Sequence, residues 1–375
     1  MHVGLNLIYL VPGETGGMET YARELIPALL RQQPDTRITA FVNREAANVR
    51  GPWADVAECV PIPVNARHRI EWVLGEQLLL PRTAARHGVD VLHSLASTAP
   101  ASGDFPRVVT IHDLLYRIYP ETHFGARAAA MRVLVPVAAR RSDRVIAPSV
   151  ATRDDLVKFL RLTPEKVDVV HEGVGSARVE PLDERELRVR LGLDRRKLVL
   201  TVSAKRPHKN LIRLLDALAL IPAERRPVLA LPGYPTPHEH QLREHAIELG
   251  IEADTCFLSW ISAEELEGLY RLASCFVFPS LYEGFGLPVL EAMARGVPVA
   301  CSGRGSLAEV AGEAAFLFDP ESPRAIADAI EGLLGDPAMG ERLREAGFEQ
   351  ARRFSWDATA RATLHSYELA LASRG

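Results

Sequence analysis

The chain has 375 residues, 47% of them hydrophobic and 25% charged, and a formal net charge of −4. That composition supplies a core for two or three ordinary domains, and it excludes both a disordered chain and a polycation built to hold nucleic acid. No apolar run approaches the ~18 residues that would span a membrane, and the four cysteines, Cys59, Cys256, Cys275 and Cys301, form no C-x-x-C pair.

In chain order, "VGLNLIYL" (3–10) reads as a first strand rather than a leader, because no charged segment or small-residue cleavage site accompanies it. With cysteines that read as small buried hydrophobes, this points to a cytoplasmic protein. A glycine loop, "VPGETGG", and a helix over 18–32 follow. Further strands are predicted at 38–42, 89–94, 107–116 and 144–149. Residues 169–184, with two glycines, a proline and no clear period, read as a linker. The rhythm then restarts, with strands at 197–204, 227–233, 255–260, 275–280 and 297–302, and helices over 210–221, 238–249, 263–272 and 288–295. Continuous apolar strands alternating with helices predict parallel sheets covered on both faces. The predicted fold class is therefore α/β, with two doubly wound Rossmann-like domains of similar size. Such sheets bind ligands outside the carboxyl ends of their strands, and two of them would face each other across a cleft.

The stretches with chemistry fall at those strand ends. In "PSLYEGFGLPVLEAMARGVPVA" (279–300), Pro288 suits the first position of a helix. Gly284 and Gly286 let a ligand approach the backbone, and the helix N-terminus favours an anion. Glu283 precedes the helix and Glu291 is expected in its first turn. Glu291 either accepts hydrogen bonds from vicinal hydroxyls or complements the helix dipole. "VSAKRPHKN" (202–210) crowds Lys205, Arg206 and Lys209 into one loop of a chain whose other lysines are Lys158, Lys166 and Lys197. Such a cluster suits a phosphate, or is a solvated basic loop. In "GETGGMETYA" (13–22), Gly16 and Gly17 open a helix without forming G-x-G-x-x-G. They present N–H groups to an anion, admit a substrate, or form a plain tight turn.

His112, in "VVTIHDLLY", ends a strand and is followed by Asp113. A metal reading of that pair is rejected because no D-x-D, H-E-x-x-H or cysteine cluster accompanies it. Residues 126–144, "ARAAAMRVLVPVAARRSDR", read either as a surface for anionic lipid or as a core-facing helix with an arginine rim, interrupted by Pro136.

Taken in order, "GGMETYARELIPAL", "TIHDLLY", "VIAPSVATRDDL", "VVHEGV", "RPHKNL", "FLSWISAEELEGLYRLASCFVFPSLYEGFGLPVLEAMARGVPVA" and "RRFSWDATARATLHSYELAL" resemble the retaining glycosyltransferases of family 4, which have the two-domain GT-B fold. The resemblance covers nearly the whole chain. It implies an acceptor-side domain over 1–172, a nucleotide-sugar-binding domain over 173–355, and a closing helix over 356–375 that crosses back onto the N-terminal domain. It implies that Glu291 holds ribose hydroxyls, while Glu283 and the backbone of Phe285, Gly286 and Leu287 contact the donor sugar and its diphosphate. Arg206 and Lys209 would neutralise the leaving diphosphate. His112 would lie beside the donor sugar's hydroxyls, and Gly16 and Gly17 would meet phosphate or admit the acceptor. The chain departs from the family where many relatives carry an earlier arginine: here the loop reads Ala204, Lys205, Arg206, with Ser203 where many have glycine. Arg206 is assigned that role and Lys205 is its reserve.

The resemblance further implies a metal-independent transfer with no cofactor. The donor is a nucleotide sugar, with GDP-mannose favoured by the style of "PHKN" and "SLYEGFGLPVLEAMA" and a UDP-sugar left open. The acceptor is a carbohydrate or a lipid-linked one, and weak contact with the inner face of a membrane stays open. The alternatives are a nucleotide-sugar epimerase on the same fold, a non-catalytic nucleotide-sugar sensor, and a dinucleotide oxidoreductase. The missing G-x-G-x-x-G speaks against the last of these.

Overall fold

A computed structural model describes all residues except 48, 50, 121–124, 176–178 and 375. It divides into two units, Met1–Gly173 with Phe354–Gly375, and Val174–Arg353. Each is built on one wholly parallel sheet.

The first sheet holds β1 (His2–Leu7), β2 (Arg37–Val42), β3 (Glu58–Pro61), β4 (Val91–Ser94), β5 (Arg107–Thr110), β6 (Arg144–Ala147) and β7 (Val167–Val169). Their order is β3-β2-β1-β4-β5-β6-β7. The second sheet holds β8 (Leu198–Leu200), β9 (Val228–Leu231), β10 (Thr255–Phe257), β11 (Cys275–Phe278), β12 (Val299–Ser302) and β13 (Ala315–Phe318), in the order β10-β9-β8-β11-β12-β13. Central strands such as β8 and β11 are fully buried because helices cover both faces, which is why they read as unbroken apolar runs.

In each sheet the strand order reverses once, between β1 and β4 and between β8 and β11. Loops leaving adjacent strands on either side of a reversal diverge and open a crevice at the carboxyl ends. The glycine loop leaves β1, the basic loop leaves β8, and the 279–286 loop leaves β11. The topology thus puts the second and third of these side by side.

The last helix, Trp356–Ala372, belongs to the first unit. Ser355 caps it by accepting from the Ala358 N–H at 3.2 Å. Trp356, Ala360, Leu364 and Tyr367 are buried in the core that also holds Tyr21, Leu25 and Leu29 of the helix Gly17–Gln32. Arg31 and Asp357 pair across the two helices at 2.7 Å. The chain lies so close to Gly173 that a Cβ there would stand 2.2 Å from the Trp356 nitrogen. Of the 126–144 segment, Val135, Ala138 and Ala139 of the helix Gly125–Arg141 lie in a core cluster while Arg140 and Arg141 are exposed. The segment is a core-facing helix with an arginine rim. The side chains of 125–128 lie outside the described residues.

Candidate functional site

In the second unit, the loop after β8 turns through a short 3-10 helix, Pro207–Lys209, and ends at Asn210 in the left-handed region (φ 59°). Asn210 is buried and donates from Nδ2 to the carbonyls of Pro279 (3.0 Å) and Pro320 (2.7 Å). The Leu281 N–H donates to the His208 carbonyl at 2.9 Å. These bonds lock the basic loop to the loop after β11.

Across that seam Lys209 Nζ stands 2.6 Å from Glu283 Oε1, with both side chains largely buried. The ammonium also lies 5.2 Å from the centre of the Phe278 ring. Ser306 Oγ fixes the Glu283 backbone by donating to its carbonyl at 2.8 Å. Three residues on, Gly286 has φ 120°, a conformation that residues with a Cβ resist, and a Cβ there would meet Leu307 Cδ2 at 2.7 Å. The helix Leu287–Ala294 starts there with no side-chain cap. Phe285 is buried beneath the turn. The N-terminus of this helix, Arg206 and Lys209 thus all border the β8–β11 crevice. Arg206 is half-buried, and its guanidinium has no hydrogen-bond or ion-pair partner among the described residues.

Lys205 departs from the sequence expectation. Its side chain is wholly buried, and Nζ donates to the carbonyls of Gly233 (2.6 Å) and Leu258. Burial lowers its pKa to about 8, against the pull of Glu239 4.0 Å away. The ammonium ties together the loops after β9 and β10 and has no surface to offer a phosphate, so the reserve role does not fit it.

Glu291 also differs from expectation. The helix begins at Leu287, so Glu291 lies in its second turn, beyond the reach of a simple dipole role. It is half-buried, and Tyr270 OH donates to its Oε2 at 3.1 Å. Burial pushes its carboxyl pKa up, and the Arg295 charge and the tyrosine hydrogen bond only partly offset that. Arg295 packs 4.8 Å above the Tyr270 ring, donates to the Glu291 backbone carbonyl at 3.0 Å, and is itself held by Glu267 (Nε to Oε2 2.7 Å). Neither Tyr270 nor Arg295 stands out in the sequence, since each reads as an ordinary residue of an amphipathic helix.

In the first unit, Gly16 has φ 63° and precedes the helix Gly17–Gln32. A Cβ at Gly17 would meet nothing within 4 Å, and its φ is not in the left-handed region. Neither packing nor backbone therefore demands glycine there. Glu19 accepts from the Gly13 N–H at 2.8 Å and pairs with Arg23 at 2.6 Å, which closes the loop.

His112 sits just past β5. Its Nδ1 lies 3.1 Å from Glu172 Oε1 and its Nε2 lies 2.8 Å from the Leu95 carbonyl. Both partners can accept, so this geometry suits a ring that donates from both nitrogens. Burial opposes that charge, but the Glu172 carboxylate, the Leu95 carbonyl and Asp113 outweigh it and raise the pKa above the usual histidine value. Beside it, buried His93 bridges Tyr367 OH and Thr110 Oγ1, each at 2.8 Å, and burial lowers its pKa to about 3. Glu172 lies in the stretch read as linker, and nothing in its spacing marks it as a partner of His112. Asp113 Oδ1 accepts from the Leu115 N–H at 2.8 Å. Among the described residues, no three His, Cys, Asp or Glu side chains converge as metal ligands would.

Comparison with known proteins covers both units. The family model of glycosyl transferases group 1 matches residues 183–350, and that of Glycosyltransferase Family 4 matches residues 15–178. The O-antigen chain mannosyltransferase B of Escherichia coli is 31% identical over 70% of each chain. A D-inositol 3-phosphate glycosyltransferase of Nocardioides is 32% identical over 81% of this chain and 67% of its own. Among solved structures, sucrose-phosphate synthase from Thermosynechococcus elongatus superposes with a TM-score of 0.81 at 21% identity, covering 100% of both chains. Anabaena HepE in complex with UDP and glucose gives 0.75 at 19% identity, covering 98% of this chain and 99% of its own.

Proposed function

This chain belongs to the glycosyl transferases of group 1 and family 4, with the GT-B fold, and from that premise we propose that it moves a mannosyl group from GDP-mannose to a carbohydrate or lipid-linked acceptor, with retention and without a metal. Its work is glycan biosynthesis. The observation that carries the proposal is the unpartnered Arg206 beside the Lys209–Glu283 pair, both at the β8–β11 crevice. Breaking a sugar–phosphate bond puts negative charge on the departing diphosphate, and preorganised cations and N–H groups lower that barrier. Arg206, Lys209 and the backbone of Phe285, Gly286 and Leu287 are assigned to the diphosphate. Glu283 and His112 are assigned to the donor sugar, and Glu291 to the ribose. At Gly17 the free space where a Cβ would stand supports close approach of phosphate or acceptor next to Gly16. The mannosyl choice is supported by the name of the Escherichia coli relative. The four cysteines are unpaired, which supports a cytoplasmic location.

A thermal-shift panel of nucleotide sugars, followed by product analysis, tests the reading. GDP-mannose is expected to give the largest stabilisation and a transferred mannose. A shift with UDP-sugars and none with GDP-sugars would reassign the donor. Conversion of the donor in the absence of any acceptor would indicate an epimerase, and binding without turnover across a broad acceptor screen a sensor.

Glu291→Ala is expected to weaken nucleoside diphosphate binding on the order of 10- to 100-fold, through loss of hydrogen bonds to a charged acceptor. Calorimetry with ribo- and deoxyribonucleotides checks this: the wild type should discriminate between them and the variant should not. Unchanged affinity would remove Glu291 from the ribose. Tyr270→Phe, which frees the carboxylate to turn, is expected to give a smaller loss in the same direction.

A further inference from the structure

The first unit holds a buried acid that the transfer chemistry leaves unused. Glu76 is 1% exposed and has no ion-pair partner among the described residues. It accepts three side-chain hydrogen bonds. Asn6 Nδ2 (3.0 Å) and Thr98 Oγ1 (2.9 Å) donate to its Oε1, and Gln77 Nε2 (3.3 Å) donates to its Oε2. Burial pushes its pKa up to about 7, and those bonds pull it back only in part. A buried carboxyl without a cation is costly to keep, so the parts that it joins are informative.

Those parts meet at the strand reversal of the first sheet. Asn6 lies near the end of β1 and pairs in register with Ser94 of β4, to whose Oγ its Nδ2 also donates at 3.1 Å. Thr98 lies in the loop after β4. Gln77 grips the same loop further on: its Nε2 donates to the Ala99 carbonyl at 3.0 Å, and its Oε1 accepts from the Ala101 N–H at 2.9 Å. Both side chains come from a π turn, Gly75–Leu79, packed so closely that a Cβ on Gly75 would stand 2.3 Å from Val64 Cγ1. Such turns are frequent at functional sites.

The loop so held is strained. Ser97 has φ 39°, in the left-handed region, and its N–H donates to the Thr110 carbonyl at 2.8 Å. A backbone in that region persists only where its surroundings over-determine it. Two residues before Ser97 stands Leu95, whose carbonyl accepts from His112 Nε2 at 2.8 Å. The strained residue thus lies between the carbonyl that His112 uses and the hydroxyl that Glu76 holds. We infer that Glu76 is a positioning residue for His112: by holding Thr98 it keeps the loop in the turn that aims the Leu95 carbonyl at the ring. The consequence for sugar transfer rests on the assignment of His112 to the donor sugar; the linkage from Glu76 to the ring does not.

Thr98→Val in the full chain is the first test, because it keeps the shape of a buried side chain and removes the hydroxyl that Glu76 accepts. It is expected to lower kcat on the order of 10-fold, as small misplacements near reacting groups do. Nucleoside diphosphate affinity by calorimetry should stay at the wild-type value. The titration of His112, read by ¹⁵N chemical shifts, should move to lower pH. The Leu95 hydrogen bond is one of the causes that raise it, and the other groups that face the ring, Glu172, Asp113, His93 and Tyr21, are unchanged. Glu76→Ala should show larger effects of both kinds, and adding Thr98→Val to it should change little, since both act through one contact. Glu76→Gln keeps an acceptor oxygen for Asn6 and Thr98 and should retain most of the rate and of the titration. Melting temperatures identify any variant that fails to fold. A wild-type His112 titration in folded Thr98→Val overturns the inference, whatever the rate. So does a shifted titration with an unchanged rate when His112→Gln slows transfer. Equal losses in Glu76→Gln and Glu76→Ala would overturn it in favour of a role for the charge itself. Wild-type transfer by His112→Gln, with the titration shifted in Thr98→Val, would instead remove His112 from the donor sugar and uphold the linkage.

Discussion

Lys209→Ala is expected to lower kcat for sugar transfer on the order of 10²- to 10³-fold, with a smaller change in KM. The ammonium is held 2.6 Å from Glu283 and against the Phe278 ring, so its position is set before any donor arrives. A charge fixed in advance need not reorganise when the diphosphate leaves, and its full interaction falls in the transition state. Removing it also leaves the Glu283 carboxylate without its cation next to where a diphosphate would bind. Lys209→Met keeps the apolar stem on Phe278 and isolates the charge. Lys209→Arg should retain part of the rate, because charge is kept while the point geometry is lost. Melting temperatures taken in parallel separate lost catalysis from lost structure. A near-wild-type kcat in Lys209→Ala would take this lysine out of the mechanism and leave Arg206 as the leaving-group cation.

The cation reading also shows where the sequence is legible. The strands that carry the crevice, β8 and β11, are central and buried on both faces, so their composition reveals them. Once they are placed, the loops that follow them are neighbours by topology alone. The edge strands β3, β7 and β13 pass unread in the sequence. They are short, and half-exposed residues interrupt their apolar pattern, as at Glu58, Cys59 and Leu317. Side-chain direction is less legible still. Lys205, Arg206 and Lys209 look alike as a basic cluster, yet Lys205 is claimed by two carbonyls 28 and 53 residues away. No local pattern encodes that capture. The same holds for Glu172, which pairs with a histidine 60 residues earlier.

That pair supports a second large effect. His112→Gln is expected to slow transfer on the order of 10²-fold, by misplacing groups around the donor sugar, and to destabilise the fold by about 3 kcal/mol or more. The stability loss arises because Glu172 is only 5% exposed and would keep its charge without a partner. Glu172→Gln added to His112→Gln removes the stranded charge, so the double variant should regain much of the stability but none of the rate. Recovery of both would show that the site needs no imidazolium. The pH dependence follows from the raised pKa of His112. An unfolded histidine titrates near 6.5, so the stabilisation from this group is fully present below that pH. It is lost as pH rises through the higher folded value. Glu172→Gln takes away the carboxylate that raises the pKa, so the alkaline loss of stability attributable to His112 should move to lower pH. The groups facing the ring include Glu172, Asp113, His93 and Tyr21, and His93 is held neutral by burial. One imidazole should therefore titrate above the usual range and its neighbour far below it, which ¹⁵N chemical shifts of the two rings would read directly. If instead His112 titrates at or below the usual range in the wild type, the ring does not donate to both acceptors and its assignment as a fixed cation fails.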